Sequence, residues 1–170
     1  MRFERRSIGG KAMLENLHVK NLALIDEQEI TFTRGLNILT GETGAGKSIV
    51  LGSIHLALGA KADKDIIRSG ADYALIELLF SLNDIQKKQM EEMDFPLEED
   101  GTLLLQRKIM PGKSICRING ETVSVSQLKE LSGCLMDMYG QHEHQTLLKP
   151  LSYGRMLDQY IGSKALECKE

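Results

Sequence analysis

No stretch of this sequence is apolar for the roughly 20 residues that a membrane-spanning helix requires. The longest candidate, Ile49 to Leu58, is interrupted by Gly52, Ser53 and His55, a pattern that suits a buried helix. The first twelve residues, MRFERRSIGGKA, lack the apolar region of a signal peptide. Cysteine is scarce: Cys116, Cys134 and Cys168 are odd in number and show no CxxC spacing. That argues against a disulfide framework or a cysteine metal site, and for reduced thiols in a cytoplasmic protein. A basic excess is missing as well, because the net charge is −3, so nothing overall points to nucleic acid. Internal repeats and low-complexity tracts are absent, which excludes a solenoid or a disordered linker.

What is present fits one packed domain, with 42% apolar and 26% charged residues in a chain of 170. Residues 1–12 carry four cations against Glu4, which leaves −6 for the remainder. Met13 and the LENLHVKNLALI that follows read as a natural start, so residues 1–12 are expected to be a leader or an added extension. Leu14 to Ala23 and Ile25 to Phe32 have strand character, and Leu36 to Leu39 reads as a compact apolar strand ending at Thr40-Gly41. A helix, apolar nearly all round, is expected from the following glycine loop to about Leu58, stopped by Gly59. Ala60 to Ala71 is a polar connection, Tyr73 to Leu82 a strand, and Asp84 to Met93 a polar helix. Leu103 to Ile109, Ser114 to Ile118 and Thr122-Val123 are separated by Pro111-Gly112 and Asn119-Gly120, the signature of an antiparallel meander. Ser124 and Gln127 form a capping-box pattern opening a helix on Leu128, Leu131 and Leu135, with Gly133 its expected stop. Cys134 to Gly140 reads as a buried strand, and Ser152 to Ile161 as the start of a further helix.

Gly41-Glu42-Thr43-Gly44-Ala45-Gly46-Lys47-Ser48 matches G-x-x-x-x-G-K-[ST] at every fixed position, between an expected strand and an expected helix. Such glycines let backbone N–H groups turn toward phosphate oxygens, and the helix N-terminus adds partial positive charge. Lys47 is placed to reach the β- and γ-phosphates of ATP, and the Ser48 hydroxyl to ligate Mg²⁺. The loop specifies nucleotide binding without naming the reaction. The acidic residue that usually holds the metal from a second strand has one candidate here, Asp137, and no adjacent glutamate accompanies it. Leu131-Ser132-Gly133-Cys134 starts like the ABC signature LSGGQ, but Cys134 stands in place of the second glycine, and an ordinary helix end accounts for it.

GQHEHQTLL (Gly140 to Leu148), together with GETGAGKS, IIRSGA and RINGETVSVSQLKEL, resembles the N-terminal part of the RecN family, bacterial DNA-repair ATPases of the SMC-like, ABC-type group. The resemblance covers about Met13 to Ile161. Glu42-Thr43 stands where other SMC-like heads tend to carry Pro-Asn. The resemblance implies an α/β P-loop NTPase fold: the N-terminal lobe of an ABC-type ATPase head over residues 13–161, with an antiparallel β meander and a truncated helix leading to a coiled coil, residues 162–170 being its start or a tail. It also implies a role in double-strand-break repair, a C-terminal lobe carrying the signature and acidic motifs, ATP-dependent pairing with a second head, DNA as partner of the full-length protein, and a cytoplasmic, nucleoid-associated location. By position, Gln141 matches the Q-loop glutamine that ligates Mg²⁺ and places the attacking water, and Arg68 matches an arginine near the nucleotide. The alternative is a compact, self-sufficient NTPase or phosphotransferase using Asp137. His142 and His144 lack the i, i+4 spacing of a zinc helix. Arg107, Lys108, Lys113 and Arg117 form a basic group around the meander's first turn that could touch DNA phosphates, or simply be a solvated hairpin.

Overall fold

The computed structural model describes residues 12–40 and 45–136. Period-two alternation dominates it. In β3 (Ala74–Ser81), Ala74, Ile76, Leu78 and Phe80 are all fully buried while the residues between them are half-exposed. β4 (Thr102–Met110) repeats the pattern through Leu103, Leu105, Arg107 and Ile109. A strand whose alternate side chains are apolar can bury only one face, and that face seeks a helical cover.

β1 (Met13–Leu22) and β2 (Ile25–Thr31) form a hairpin, and β5 (Lys113–Ile118) and β6 (Glu121–Val123) complete the meander. The six strands lie in the order β2-β1-β3-β4-β5-β6, every neighbouring pair antiparallel. The β5–β6 turn carries Asn119 at φ 46° and Gly120 at φ 84°, the two positive values that a type I′ turn demands. The Asn119 side chain accepts from the Leu104 N–H at 2.7 Å and donates to the Pro96 carbonyl at 3.0 Å, tying the turn to the sheet.

Helix α1 (Ala45–Ala57) packs on β1, β3 and β4, and helices α2 (Asp84–Glu92) and α3 (Val125–Leu135) touch each other. Both later helices open with capping boxes, Asn83 with Gln86 and Ser124 with Gln127. The core is Leu17, Val19, Ile76, Leu78, Phe80, Leu103, Leu105 and Ile118 from the sheet, met by Val50, Ile54, Leu128, Leu131 and Leu135. The described residues belong to one compact unit ending at Met136.

Three expectations are corrected. Residues 36–39 form no strand: Leu36 is 85% exposed and Ile38 71%, and no described segment offers them a ladder partner. A strand is stable only when its N–H and C=O groups are paired. Helix α1 is not buried all round, because the sheet covers one side while Leu51 is 51% exposed. Gly133 does not stop α3, which runs on to Leu135 because Leu131 and Leu135 share its buried face. Leu131-Ser132-Gly133-Cys134 is thus ordinary helix, while Asp137 to Gly140 and Ser152 to Ile161 lie outside the described residues.

Candidate nucleotide-binding site

Helix α1 starts at Ala45, so Gly46, Lys47 and Ser48 fill its first turn. The first four N–H groups of a helix have no intrahelical partner and carry partial positive charge. No acidic residue sits in that turn to repel an anion. Gly46 and Ser48 are exposed and Lys47 is half-buried, and a Cβ added at Gly46 would meet nothing within 4 Å. An exposed hydroxyl, an adjacent lysine and the N-terminal N–H groups of a helix suit a Mg²⁺-bound polyphosphate. Gly41, Glu42, Thr43 and Gly44, and equally Gln141, Asp137, His142 and His144, lie outside the described residues.

A cavity of ≈ 430 Å³ runs along α1, lined by Ser48, Ile49, Gly52 and His55 on the helix and by Leu22, Lys61 and Ile66 opposite. Its far wall is fastened to the β1–β2 turn. Ala23 donates its N–H to the Ile66 carbonyl at 2.7 Å, and Leu22 bridges Ile67. Arg68 continues this stitching: its N–H reaches the Asn21 carbonyl at 3.0 Å and its Nη1 donates to the Leu24 carbonyl at 2.9 Å. Its Nε lies 3.8 Å from Asp26 Oδ1. Arg68 is therefore a positioned side chain, still 41% exposed, on the segment that flanks α1.

The basic group around the first meander turn is split by the sheet. Lys108 lies on the open face with its Nζ 4.0 Å from the Tyr73 ring centroid, and Lys113 and Arg117 are exposed. Arg107 faces the core and is 3% exposed, which removes it from any phosphate-contacting surface on the open face. Its Nη1 donates to the Leu56 carbonyl and, at 2.6 Å, to the Ala60 carbonyl, closing the C-terminal end of α1. Burial pushes the guanidinium below its ordinary range and pushes the neighbouring Cys116 thiol up. Sequence reading missed this cap. The available signal was that Arg107 falls in the inward phase set by Leu103, Leu105 and Ile109.

The open face carries a second cluster. His18 Nδ1 is 2.7 Å from Glu77 Oε2 on β3, and its Nε2 is 3.0 Å from Glu27 Oε1 on β2. Lys20 also reaches Glu27, at 2.9 Å. Burial draws the His18 pKa down, but its bonds to the two carboxylates outweigh that and leave it raised.

Comparison with known proteins gives a consistent picture. Residues 16–160 match the AAA domain family. The chain is 41% identical over 152 residues to the DNA repair protein RecN of Halalkalibacterium halodurans, covering 88% of this chain and 27% of that protein. It is 35% identical over 154 residues to RecN of Bacillus subtilis, covering 89% of this chain and 27% of that one. The chain thus spans about a quarter of the length of these curated relatives. Among solved structures, the Smc head domain with a coiled coil and joint from Pyrococcus yayanosii superposes with a TM-score of 0.66 at 23% identity, over 93% of this chain and 34% of that one. A chain from a study of ATP-driven dimerization of SMC ATPases superposes with a TM-score of 0.63 at 22% identity, over 86% of this chain and 98% of that one. RecF with ATP gives a TM-score of 0.61 at 18% identity, over 93% of this chain and 40% of RecF. These likenesses establish an α/β ATPase-head fold of the SMC and RecF type. The chain belongs to the AAA domain family and, within it, is related to the RecN DNA repair proteins.

Proposed function

We propose that residues 13–161 are the N-terminal lobe of a RecN-like ATPase head, which binds ATP and Mg²⁺ and acts in DNA double-strand-break repair as part of a larger protein. The observation that carries this reading is the exposure of Leu36, Ile38 and Leu39, at 85%, 71% and 39%, immediately before the phosphate loop. A self-sufficient P-loop enzyme buries that segment as a central strand of its own sheet. Among the described residues no strand pairs with it, which fits a sheet completed from outside them. The C-terminal lobe of the same head is the partner that fits, with residues 162–170 leading toward the coiled coil between the lobes.

In this reading the N–H groups of Gly41 to Gly46 cradle the phosphates, and the Lys47 ammonium holds the β- and γ-phosphates. The Ser48 hydroxyl and the Gln141 amide oxygen hold Mg²⁺, whose charge offsets that of the phosphates, and Gln141 orients the attacking water. In the same reading Arg68, whose Nη1 donates to the Leu24 carbonyl, is the arginine that stands near the nucleotide. The solved relative described by its ATP-driven dimerization and DNA-stimulated activation supports pairing of two heads and DNA as partner of the full-length protein. A cytoplasmic, nucleoid-associated location follows from that role, and no described helix is long and apolar enough to cross a membrane.

The test combines ATP-binding calorimetry with steady-state turnover. The chain should bind ATP-Mg²⁺, lose binding in Lys47→Ala, and hydrolyse ATP only at background rate until a C-terminal lobe is added. Robust turnover by the chain alone, abolished in Asp137→Asn, would overturn the reading in favour of a compact NTPase.

A further inference from the structure

At the end of α1 remote from the phosphate loop lies a second cavity, ≈ 580 Å³, between the 59–63 segment, the β4–β5 turn and the start of α3. Its charged lining is one-sided. Lys61, Lys113 and Lys129 stand around Arg107, and Asp63 is the one carboxylate facing them, with the Ser114 hydroxyl beside Lys113. None of the four cations forms an ion pair with a described carboxylate. Arg107 is the unusual member. It is 3% exposed, Nη1 is committed to two backbone carbonyls, and Nε is buried without an acceptor. Buried donors are almost always satisfied, and a guanidinium placed in the protein interior ordinarily has an anion beside it. The negative end of the α1 dipole offsets only part of its charge.

We infer that this cavity is an oxyanion site of the phosphate class, distinct from the phosphate loop, in which the Arg107 guanidinium, held in the cavity wall, supplies a fixed donor and Lys61, Lys113 and Lys129 supply the charge. The two ends of a 13-residue helix are about 20 Å apart, so one phosphate group cannot serve both sites. An anion here neutralises the residue that closes α1, and so braces the helix whose first turn carries Lys47 and Ser48. The phosphate can belong to a free ligand or to a nucleic-acid backbone, since both present the same oxygens to these donors.

The experiment follows the thermal midpoint of the 170-residue chain in inorganic phosphate against chloride at matched ionic strength. Phosphate at about ten times its Kd is expected to raise Tm by roughly 3 °C or more. The rise should vanish in Lys113→Gln/Lys129→Gln, both exposed positions, and persist in the control Lys87→Gln/Lys88→Gln and in Lys47→Ala. Backbone amide NMR then separates the sources. Movement of the Gly112 to Ser114 signals with phosphate alone assigns a free ligand, and movement also with a short DNA duplex assigns a backbone phosphate. No rise in the unmodified chain overturns the inference. So does a rise that survives Lys113→Gln/Lys129→Gln but disappears in Lys47→Ala, because the phosphate then occupies the loop.

Discussion

Replacing Leu36 and Ile38 together by serine tests the strip that distinguishes a lobe from a complete enzyme. Burying a Leu or Ile side chain is worth about 1.5–3 kcal/mol. Leu36 has 85% and Ile38 71% of its surface still to bury. Together they hold back about 2–4 kcal/mol once ordering costs are discounted, which is about 30- to 1,000-fold in Kd. The folded chain alone gains almost nothing from these side chains, so its urea stability should move by no more than about 0.5 kcal/mol. Calorimetry between this chain and the C-terminal portion of a RecN relative measures the first quantity, and urea denaturation the second. Unchanged affinity in Leu36→Ser/Ile38→Ser would refute the reasoning. A loss of stability above about 2 kcal/mol in the chain alone would refute it equally, by showing that these side chains are already packed.

Two further outcomes are expected. His18 has a raised pKa in the folded chain, so its bonds to Glu77 and Glu27 stabilise fully below its ordinary value of 6.5 and are lost as pH rises through the raised folded value. The urea midpoint should therefore contain a component that falls as pH rises from below 6.5 through the raised folded value, and this component should be absent in His18→Gln. Asn119→Ala removes the bonds to Leu104 and Pro96 and leaves an alanine at φ 46°, which should cost about 2–3 kcal/mol of unfolding free energy in the same assay.

Local chemistry was legible in the chain itself. Alternation in Ala74–Ser81 and Thr102–Met110, the Asn119-Gly120 turn, the Ser124/Gln127 cap and the Gly59 stop each rest on neighbours within a few residues, and each appears where the sequence put it. Gly59 illustrates the reason: at φ 97° the helix end takes a left-handed conformation that other residues adopt only with strain. The phosphate-loop pattern likewise fixed Lys47 and Ser48 in the first turn of α1.

Only the folded arrangement decided the rest, because it depends on partners distant in sequence. An apolar run such as Leu36 to Leu39 is a strand only if another strand lies beside it, and no property of the run itself supplies one. Arg107, read in sequence as a hairpin cation, belongs to the core because β4 turns it toward the carbonyls of Leu56 and Ala60, about fifty residues earlier in the chain. Its neighbours Lys108 and Arg117 stay on the open face for the same geometric reason, since successive side chains of a strand point to opposite sides. Residue type fixed the charge of each group, and the sheet decided whether it met solvent, a helix end or another charge.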